Sequence, residues 1–264
     1  MLSICTTVKN RSRVPSDKGT LLLFPNCIDS IAKSLVLNDD VELVITDWES
    51  NDWPIKDWIE RAIPHISIHI ITIKADGFSA GKGRNLAAEY CNGENIFFMD
   101  ADMIVNREII ADGLKVAQDG GIYYPTVKYD IGGKQIIHEG GGNVFMSKDI
   151  FFKAGKWPEY WKHGFEDTDF FQMLKGIAPI VTNDKLSIFH QWHPQTALFK
   201  NIHASKDPEK VRTVEERKEY YQEQRDSEPE LLITNIDYVL KNYPHTTHSN
   251  LNPPVKADNR SLEL

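Results

Sequence analysis

A mostly parallel α/β sheet flanked by helices is the fold class that the sequence predicts, and three observations predict it. Strand-like and helix-like patterns alternate along the N-terminal half, which implies βαβ units. The strand-like runs are short, continuous and apolar, as in strands buried on both faces. They break abruptly at polar clusters: Lys9-Asn10-Arg11, Asp47 and Asp100-Ala101-Asp102. Ligands of open α/β sheets sit at the carboxyl ends of the strands, so these breaks mark a candidate site.

Each element has its own signal. Leu2 to Val8 is an apolar strand, and Val41 to Ile45 a second that ends in Thr46-Asp47. Between them, Phe24, Ile28, Ile31 and Leu35 recur at spacings of three and four, the face of a helix over Leu21 to Leu37. Pro54 to Ile63 reads as a short helix that Pro64 stops. Ile66 to Ile73 is β-branched and reads as a strand. Ser79 to Tyr90 opens with glycines and becomes helical, Ile96 to Met99 is a strand, and Asn106 caps a helix to Ala117. The second half is mixed, with strands at Ile122 to Tyr129, Asn143 to Met146 and Lys185 to Phe189, and a helix from Phe165 to about Lys175. Thr213 to Arg225 reads as a charged helix, Leu231 to Leu240 as an amphipathic one, and the stretch from His245 on as a mobile tail. No linker interrupts the pattern, so residues 1–245 are expected to form one domain, with 246–264 as tail.

Composition excludes several classes. The 264 residues carry 30 Lys+Arg against 38 Asp+Glu, a net charge of −8 that argues against a dedicated nucleic-acid binder. At 41% hydrophobic and 26% charged residues the chain is that of a soluble globular protein. No run reaches the roughly 20 apolar residues of a membrane span, and Met1 to Thr6 has no secretory pattern. Cys5, Cys27 and Cys91 are odd in number and scattered, as in reduced core thiols of a cytoplasmic protein.

The chemistry-bearing residues follow the strand ends. In Phe97-Phe98-Met99-Asp100-Ala101-Asp102, two carboxylates separated by one residue after an apolar strand can turn into one crevice and hold Mg²⁺ or Mn²⁺; a solvated turn is the plainer reading. Asp47 can accept hydrogen bonds from a base or ribose, or cap a turn. Gly81-Lys82-Gly83-Arg84-Asn85 lacks the Walker spacing, but it puts Lys82 and Arg84 near a helix start, where cations can meet phosphate. Glu166 and Asp167 open a helix, where acids are common anyway, or one of them accepts a proton from an attacking hydroxyl. His190 and His193 follow a strand and are candidate metal ligands.

Together these motifs resemble the GT-A glycosyltransferases, family 2-like. Asp100-Ala101-Asp102 resembles their DxD motif, and Val44-Ile45-Thr46-Asp47 their second strand with its base-binding aspartate. Ser79 to Ala87 is similar to the segment before their third helix. His163-Gly164-Phe165-Glu166-Asp167 resembles the G-x-E-D segment of galactosyl- and N-acetylgalactosaminyltransferases and of chondroitin-polymerase-type domains. The second strand departs from the family, with Trp48-Glu49 before Ser50 where an aspartate and a glycine are usual.

The resemblance implies a GT-A, Rossmann-like sheet with a small mixed or antiparallel acceptor-side subregion. Its nucleotide-binding half would be about 1–105, its acceptor-binding half about 106–200, and a helical extension about 205–245. It implies a UDP-sugar donor, Mn²⁺ or Mg²⁺, and transfer of a hexose or N-acetylhexosamine to a hydroxyl of a glycan or glycoconjugate, with inversion. Thr6, Thr7, Lys9, Arg11 and Asp47 would line the nucleoside, with Lys82 and Arg84 near the base or diphosphate. Asp100 would face ribose and metal, Asp102 would be the main metal ligand, and His190, or else His193, would complete the metal site. Asp167 would be the base and Glu166 would bind a sugar hydroxyl. Gly140-Gly141-Gly142 would admit the sugar, and Trp157, Trp161 and Trp192 are candidates for stacking on it or for ordinary packing. Two other functions fit parts of the pattern: a non-catalytic sugar-nucleotide or glycan binder on the same fold, and a metal-dependent phosphoryl-transfer enzyme. Against the second, Ile104 stands where aspartate-nucleophile phosphatases need threonine or valine.

Overall fold

The structure, a computed structural model, describes residues 1–17, 19–36, 39–75, 77–131, 134–139, 141–161, 165–194 and 230–236. The first half of the chain runs β1 (Leu2–Val8), the hairpin β2 (Val14–Ser16) and β3 (Gly19–Leu21), α1 (Leu23–Ser34), β4 (Val41–Asp47), a 3₁₀ turn (Ile55–Asp57), α2 (Ile59–Ala62), β5 (Ser67–Lys74), α3 (Ala80–Tyr90) and β6 (Asn95–Phe98). Next come β7 (Met103–Ile104), α4 (Arg107–Gln118), β8 (Ile122–Tyr123), β9 (Thr126–Ile131), β10 (Lys134–Glu139), β11 (Val144–Ser147), α5 (Lys148–Lys153), α6 (Glu166–Leu174), β12 (Ile180–Val181), β13 (Ser187–His190) and β14 (Glu230–Ile236).

The main sheet has the order β12-β8-β11-β6-β1-β4-β5-β14. β1, β4, β5 and β6 are mutually parallel, and β11 and β14 run against their neighbours. Strand alternation sends successive residues to opposite faces. Ile4, Ile45 and Phe97 pack with α1, α2 and α4 on one side. Cys5, Val44 and Phe98 pack with α3, α5 and α6 on the other. Every residue of β1 is buried, which makes it the central strand. A second sheet, β10-β9-β13-β7, lies at the carboxyl end of β6 and mixes parallel and antiparallel pairs. It matches the expected subregion.

Two expectations are corrected. Leu231 to Leu240 does not begin as a helix: Glu230–Ile236 is strand β14, antiparallel to β5, so this part of the expected helical extension is sheet. Leu231 to Ile236 is too short an apolar run to tell a strand from a helix by periodicity. Its isoleucines and threonine suit a strand, and β5 offers an open edge. Ile122 to Tyr129 is not one strand but two, in different sheets. Pro125 has no N–H to give and restricts the residue before it, so the run breaks there. The expected helix at Thr213 to Arg225 and the tail 246–264 lie outside the described residues. The three cysteines are buried and unpaired by disulfide. Among the described residues no helix is long and apolar enough to cross a membrane.

Candidate active site

The chain passes from β5 on one side of β1 to β6 on the other, so the strand order changes direction at β1. A crevice opens at such a point, beyond the carboxyl ends. The backbone places the two acids of the Asp100-Ala101-Asp102 break there. The Met99 N–H extends the pairing to Cys5 by donating to its carbonyl at 3.0 Å, and the Met103 N–H closes a turn onto the Asp100 carbonyl at 3.2 Å. β7 then pairs with β13, with His190 opposite Met103, and the Gln191 N–H donates to the Asp102 carbonyl at 2.9 Å. This register carries both histidines to Asp102.

Asp102 Oδ2 lies 3.3 Å from His193 Nε2, 3.8 Å from His190 Nε2 and 4.0 Å from Arg11 Nε. One ligand atom from each of Asp102, His190 and His193 lies within 4.8 Å of the others. Burial alone would raise the Asp102 carboxyl. The His193 hydrogen bond and the charges of His190, His193 and Arg11 outweigh it and hold the pKa at about 2. Burial shifts His190 the other way, below its ordinary value, and so favours the neutral ring that a metal requires. His193 Nδ1 is 3.1 Å from the Pro194 carbonyl. Without a metal, Nε2–H donates to Asp102; a metal would take the place of that proton, and the Pro194 carbonyl is positioned to keep a proton on Nδ1.

Asp100 belongs to a different cluster. Its Oδ1 accepts from Arg84 Nη2 at 2.7 Å, its Oδ2 accepts from Asn143 Nδ2 at 3.1 Å, and its N–H donates to Asn143 Oδ1 at 2.9 Å. Arg84 Nη1 donates to Asp167 Oδ1 at 3.0 Å and stands 3.7 Å from Glu166 Oε1. Burial would lower the Arg84 pKa, but Asp100, Asp167 and Glu166 raise it, so the guanidinium stays charged. Gly142 passes so close that a Cβ on it would overlap Arg84 Nη2. The two acids after β6 therefore face different partners: Asp102 the histidines, Asp100 the arginine that reaches Asp167.

The comparisons with known proteins bear on this arrangement. The family model described as glycosyl transferase family 2 matches residues 3–178. The chain belongs to that family. No curated protein matches it in sequence. Among solved structures it is similar to S. aureus TarS 1–349 in complex with UDP-GlcNAc, with a TM-score of 0.61 and 16% identity over 75% of this chain and 60% of that one. It is similar also to TarS 1–349 without that ligand, with a TM-score of 0.59 and 17% identity over 72% and 60%. The chain thus spans about 60% of the length of these structures. Its sheet has the GT-A fold.

The other sequence-predicted residues fall in several places. Asp47 ends β4, buried, and its Oδ1 accepts the Ser50 N–H at 2.9 Å, the turn role expected as its alternative. Burial raises its pKa against the Ser50 hydrogen bonds. Thr6 is buried, and its hydroxyl has no partner among the described residues. Thr7 accepts from Trp48 Nε1 at 3.0 Å and packs where Gly83, lacking a Cβ, lets α3 approach β1. Lys9 Nζ donates to the Gly77 carbonyl at 2.9 Å. Lys82 Nζ pairs with Glu159 at 3.2 Å, away from the Asp102 cluster's partners. Trp157 is 2% exposed, stacks on Phe170 and lies 4.4 Å under Arg84, so packing accounts for it and it offers no face to a sugar. Trp161 packs edge-on against Trp48, while Trp192 is 40% exposed. Gly140 and the His163-Gly164 pair lie outside the described residues.

Two residues escaped sequence reasoning. Asn143 carries no pattern beyond its place after the glycines. Tyr129 on β9 stacks on His190 with ring centroids 4.8 Å apart. Burial and the charges of Asp100, Asp102 and Asp167 push its phenol up to about 12, which puts it amid the acids. Only the pairing of β9 with β13, Tyr129 against His190, brings it there.

Proposed function

We propose that the protein transfers a hexose or N-acetylhexosamine from a UDP-sugar to a hydroxyl of a glycan or glycoconjugate, with inversion and with a divalent cation. The observation that carries this reading is the convergence of Asp102, His190 and His193 beside the Arg84–Asp167 pair at the carboxyl edge of the sheet. The donor set suits the cation: one carboxylate and two imidazoles fit Mn²⁺ better than Mg²⁺, which prefers oxygen ligands. Asp102, His190 and His193 would hold it, and it would supply Lewis-acid stabilisation of the departing diphosphate. The UDP donor is supported by the family and by the UDP-GlcNAc complex of TarS.

The chain's own groups supply the rest. Asp167, 39% exposed, is open to an acceptor, and its carboxylate takes the hydroxyl proton as the oxygen attacks the anomeric carbon. The bond from that carbon to the diphosphate breaks on the opposite side, and UDP leaves. Glu166, the first residue of α6, binds a sugar hydroxyl in this reading. Thr6, Thr7, Lys9, Arg11 and Asp47 line the nucleoside side, and Trp192 offers a face to the acceptor. The reaction is cytoplasmic, with any lipid-linked acceptor met from the aqueous side. A screen of nucleotide sugars with Mn²⁺, reading diphosphate-nucleoside release, tests the reading. Asp102→Ala is expected to abolish turnover in a folded protein, and Asp167→Asn to keep UDP binding and lose transfer. Full turnover in either variant refutes the corresponding role.

A further inference from the structure

We infer that Arg84 is the positioning residue of the proton-accepting carboxylate: it fixes Asp167 relative to Asp100, rather than serving mainly to bind donor phosphate. The inference rests on the reading of Asp167 as the base and adds how that base is held.

Four observations converge. Arg84 is only 4% exposed, and its two terminal nitrogens are divided between elements, Nη2 on Asp100 after β6 and Nη1 on Asp167 in α6. A guanidinium holds two acceptors at a fixed angle, which an ammonium cannot do. Its plane is set from below by Trp157 at 4.4 Å. Trp157 is itself tied to α3 by Asn85, whose Oδ1 accepts the Trp157 N–H and whose Nδ2 donates to its carbonyl, both at 2.9 Å. The same indole stacks on Phe170 of α6 at 3.9 Å, so one ring sets both the arginine and the helix that carries the base. Finally, α6 starts in a strained way. Phe165, a bulky residue at its N-cap, has φ of +68° and makes no side-chain capping bond. Strain of this kind persists only where the surroundings determine it. The two acids that follow Phe165 both face Arg84.

Phosphate binding and positioning predict different kinetics. Loss of a phosphate contact raises the donor KM, whereas a misplaced base lowers kcat. The experiment uses the full chain with Mn²⁺ and the UDP-sugar that gives the fastest UDP release. It compares wild type, Arg84→Lys, Gly142→Ala and Asp167→Asn, with folding checked by circular dichroism. Arg84→Lys keeps the charge and loses the fork. Gly142→Ala keeps Arg84 and pushes its guanidinium aside, so it serves where the arginine variant does not fold. Both are expected to lower kcat by about 10- to 100-fold, with donor KM within about threefold of wild type. In thermal unfolding, Arg84→Lys combined with Asp167→Asn is expected to be little less stable than the worse single variant, the non-additivity of a coupled pair. A raised KM with unchanged kcat, or additive losses of stability, overturns the inference. If Asp167→Asn keeps full turnover, the base reading fails first. If Asp167→Asn is inactive while Arg84→Lys and Gly142→Ala turn over normally, the base stands and only the positioning role falls.

Discussion

Replacing Asn143 by aspartate tests the way Asp100 is held. Asn143 is buried and makes two bonds to Asp100, accepting its N–H at 2.9 Å and donating Nδ2 to Oδ2 at 3.1 Å. Asn143→Asp keeps the acceptor and turns the donor into a second carboxylate. At 3.1 Å and an effective dielectric near 20, two unit charges repel by about 5 kcal/mol. That figure is a ceiling, because the Asp100 side chain is 27% exposed and the new carboxyl can take up a proton instead. The expected loss of stability at pH 7 is about 2–4 kcal/mol. Asn143→Ala leaves the Asp100 N–H without its acceptor and costs about 1–3 kcal/mol. The two variants separate with pH. The new carboxyl has a folded pKa raised above its unfolded value of about 3.9. Its penalty is therefore full above the folded pKa and disappears as pH falls below the unfolded one, where the protonated acid can donate to Asp100 as the amide did. The alanine variant gains no such relief. Urea unfolding followed by fluorescence of the buried Trp48 and Trp157, at pH 7 and pH 4.5, reads both. A wild-type midpoint for Asn143→Asp at pH 7 would show that Asn143 does not face Asp100.

Two further predictions concern other parts of the sheet. Glu42 accepts from Ser3 Oγ at 2.5 Å, from Asn92 N and Nδ2 at 2.5 and 2.9 Å, and from Gly93 N at 3.2 Å. Burial pushes its carboxyl up, but these bonds bring it below its ordinary value. Its stabilisation is thus present above its unfolded pKa and lost as pH falls through the lowered folded one. Glu42→Gln is expected to cost about 2–3 kcal/mol at pH 7 and little at pH 3, read by urea midpoints. Tyr129→Ala removes the ring stacked on His190 and is expected to weaken Mn²⁺ binding about 10-fold, while Tyr129→Phe keeps it; calorimetric titration with Mn²⁺ in the presence of UDP distinguishes the two.

How much was legible in the sequence depended on the range of the interaction. Runs such as Leu2 to Val8 and Ile96 to Met99 declare buried strands because burial on both faces excludes charged side chains and leaves only apolar residues and small hydroxyls. Their sudden ends at Lys9 and Asp100 mark where the strand meets solvent, so the edge carrying the site could be read locally. Pairings across the chain could not. Arg84 looked like a phosphate ligand because a cation beside glycines at a helix start has that local chemistry. Its partners, 16 and 83 residues away, come from the turn after β6 and from the start of α6, which only the tertiary fold brings together. Trp157 and Trp192 look alike in sequence, yet one lies buried under Arg84 and the other is 40% exposed. The seven residues of Glu230–Ile236 are too few to establish a period, and the open edge of β5 decides that they form a strand. Asn143 and Tyr129 act through neighbours that only strand pairing supplies.

In the proposed site Asp102, His190 and His193 together hold the cation on which donor binding depends. Electron paramagnetic resonance of Mn²⁺ titrated into the protein with UDP present measures it most directly, in wild type and in Asp102→Asn, His190→Ala and His193→Ala. One bound Mn²⁺ per chain is expected in wild type, with affinity weakened by at least about tenfold in every variant. Wild-type affinity in Asp102→Asn, or no bound Mn²⁺ in the wild-type protein, would contradict it.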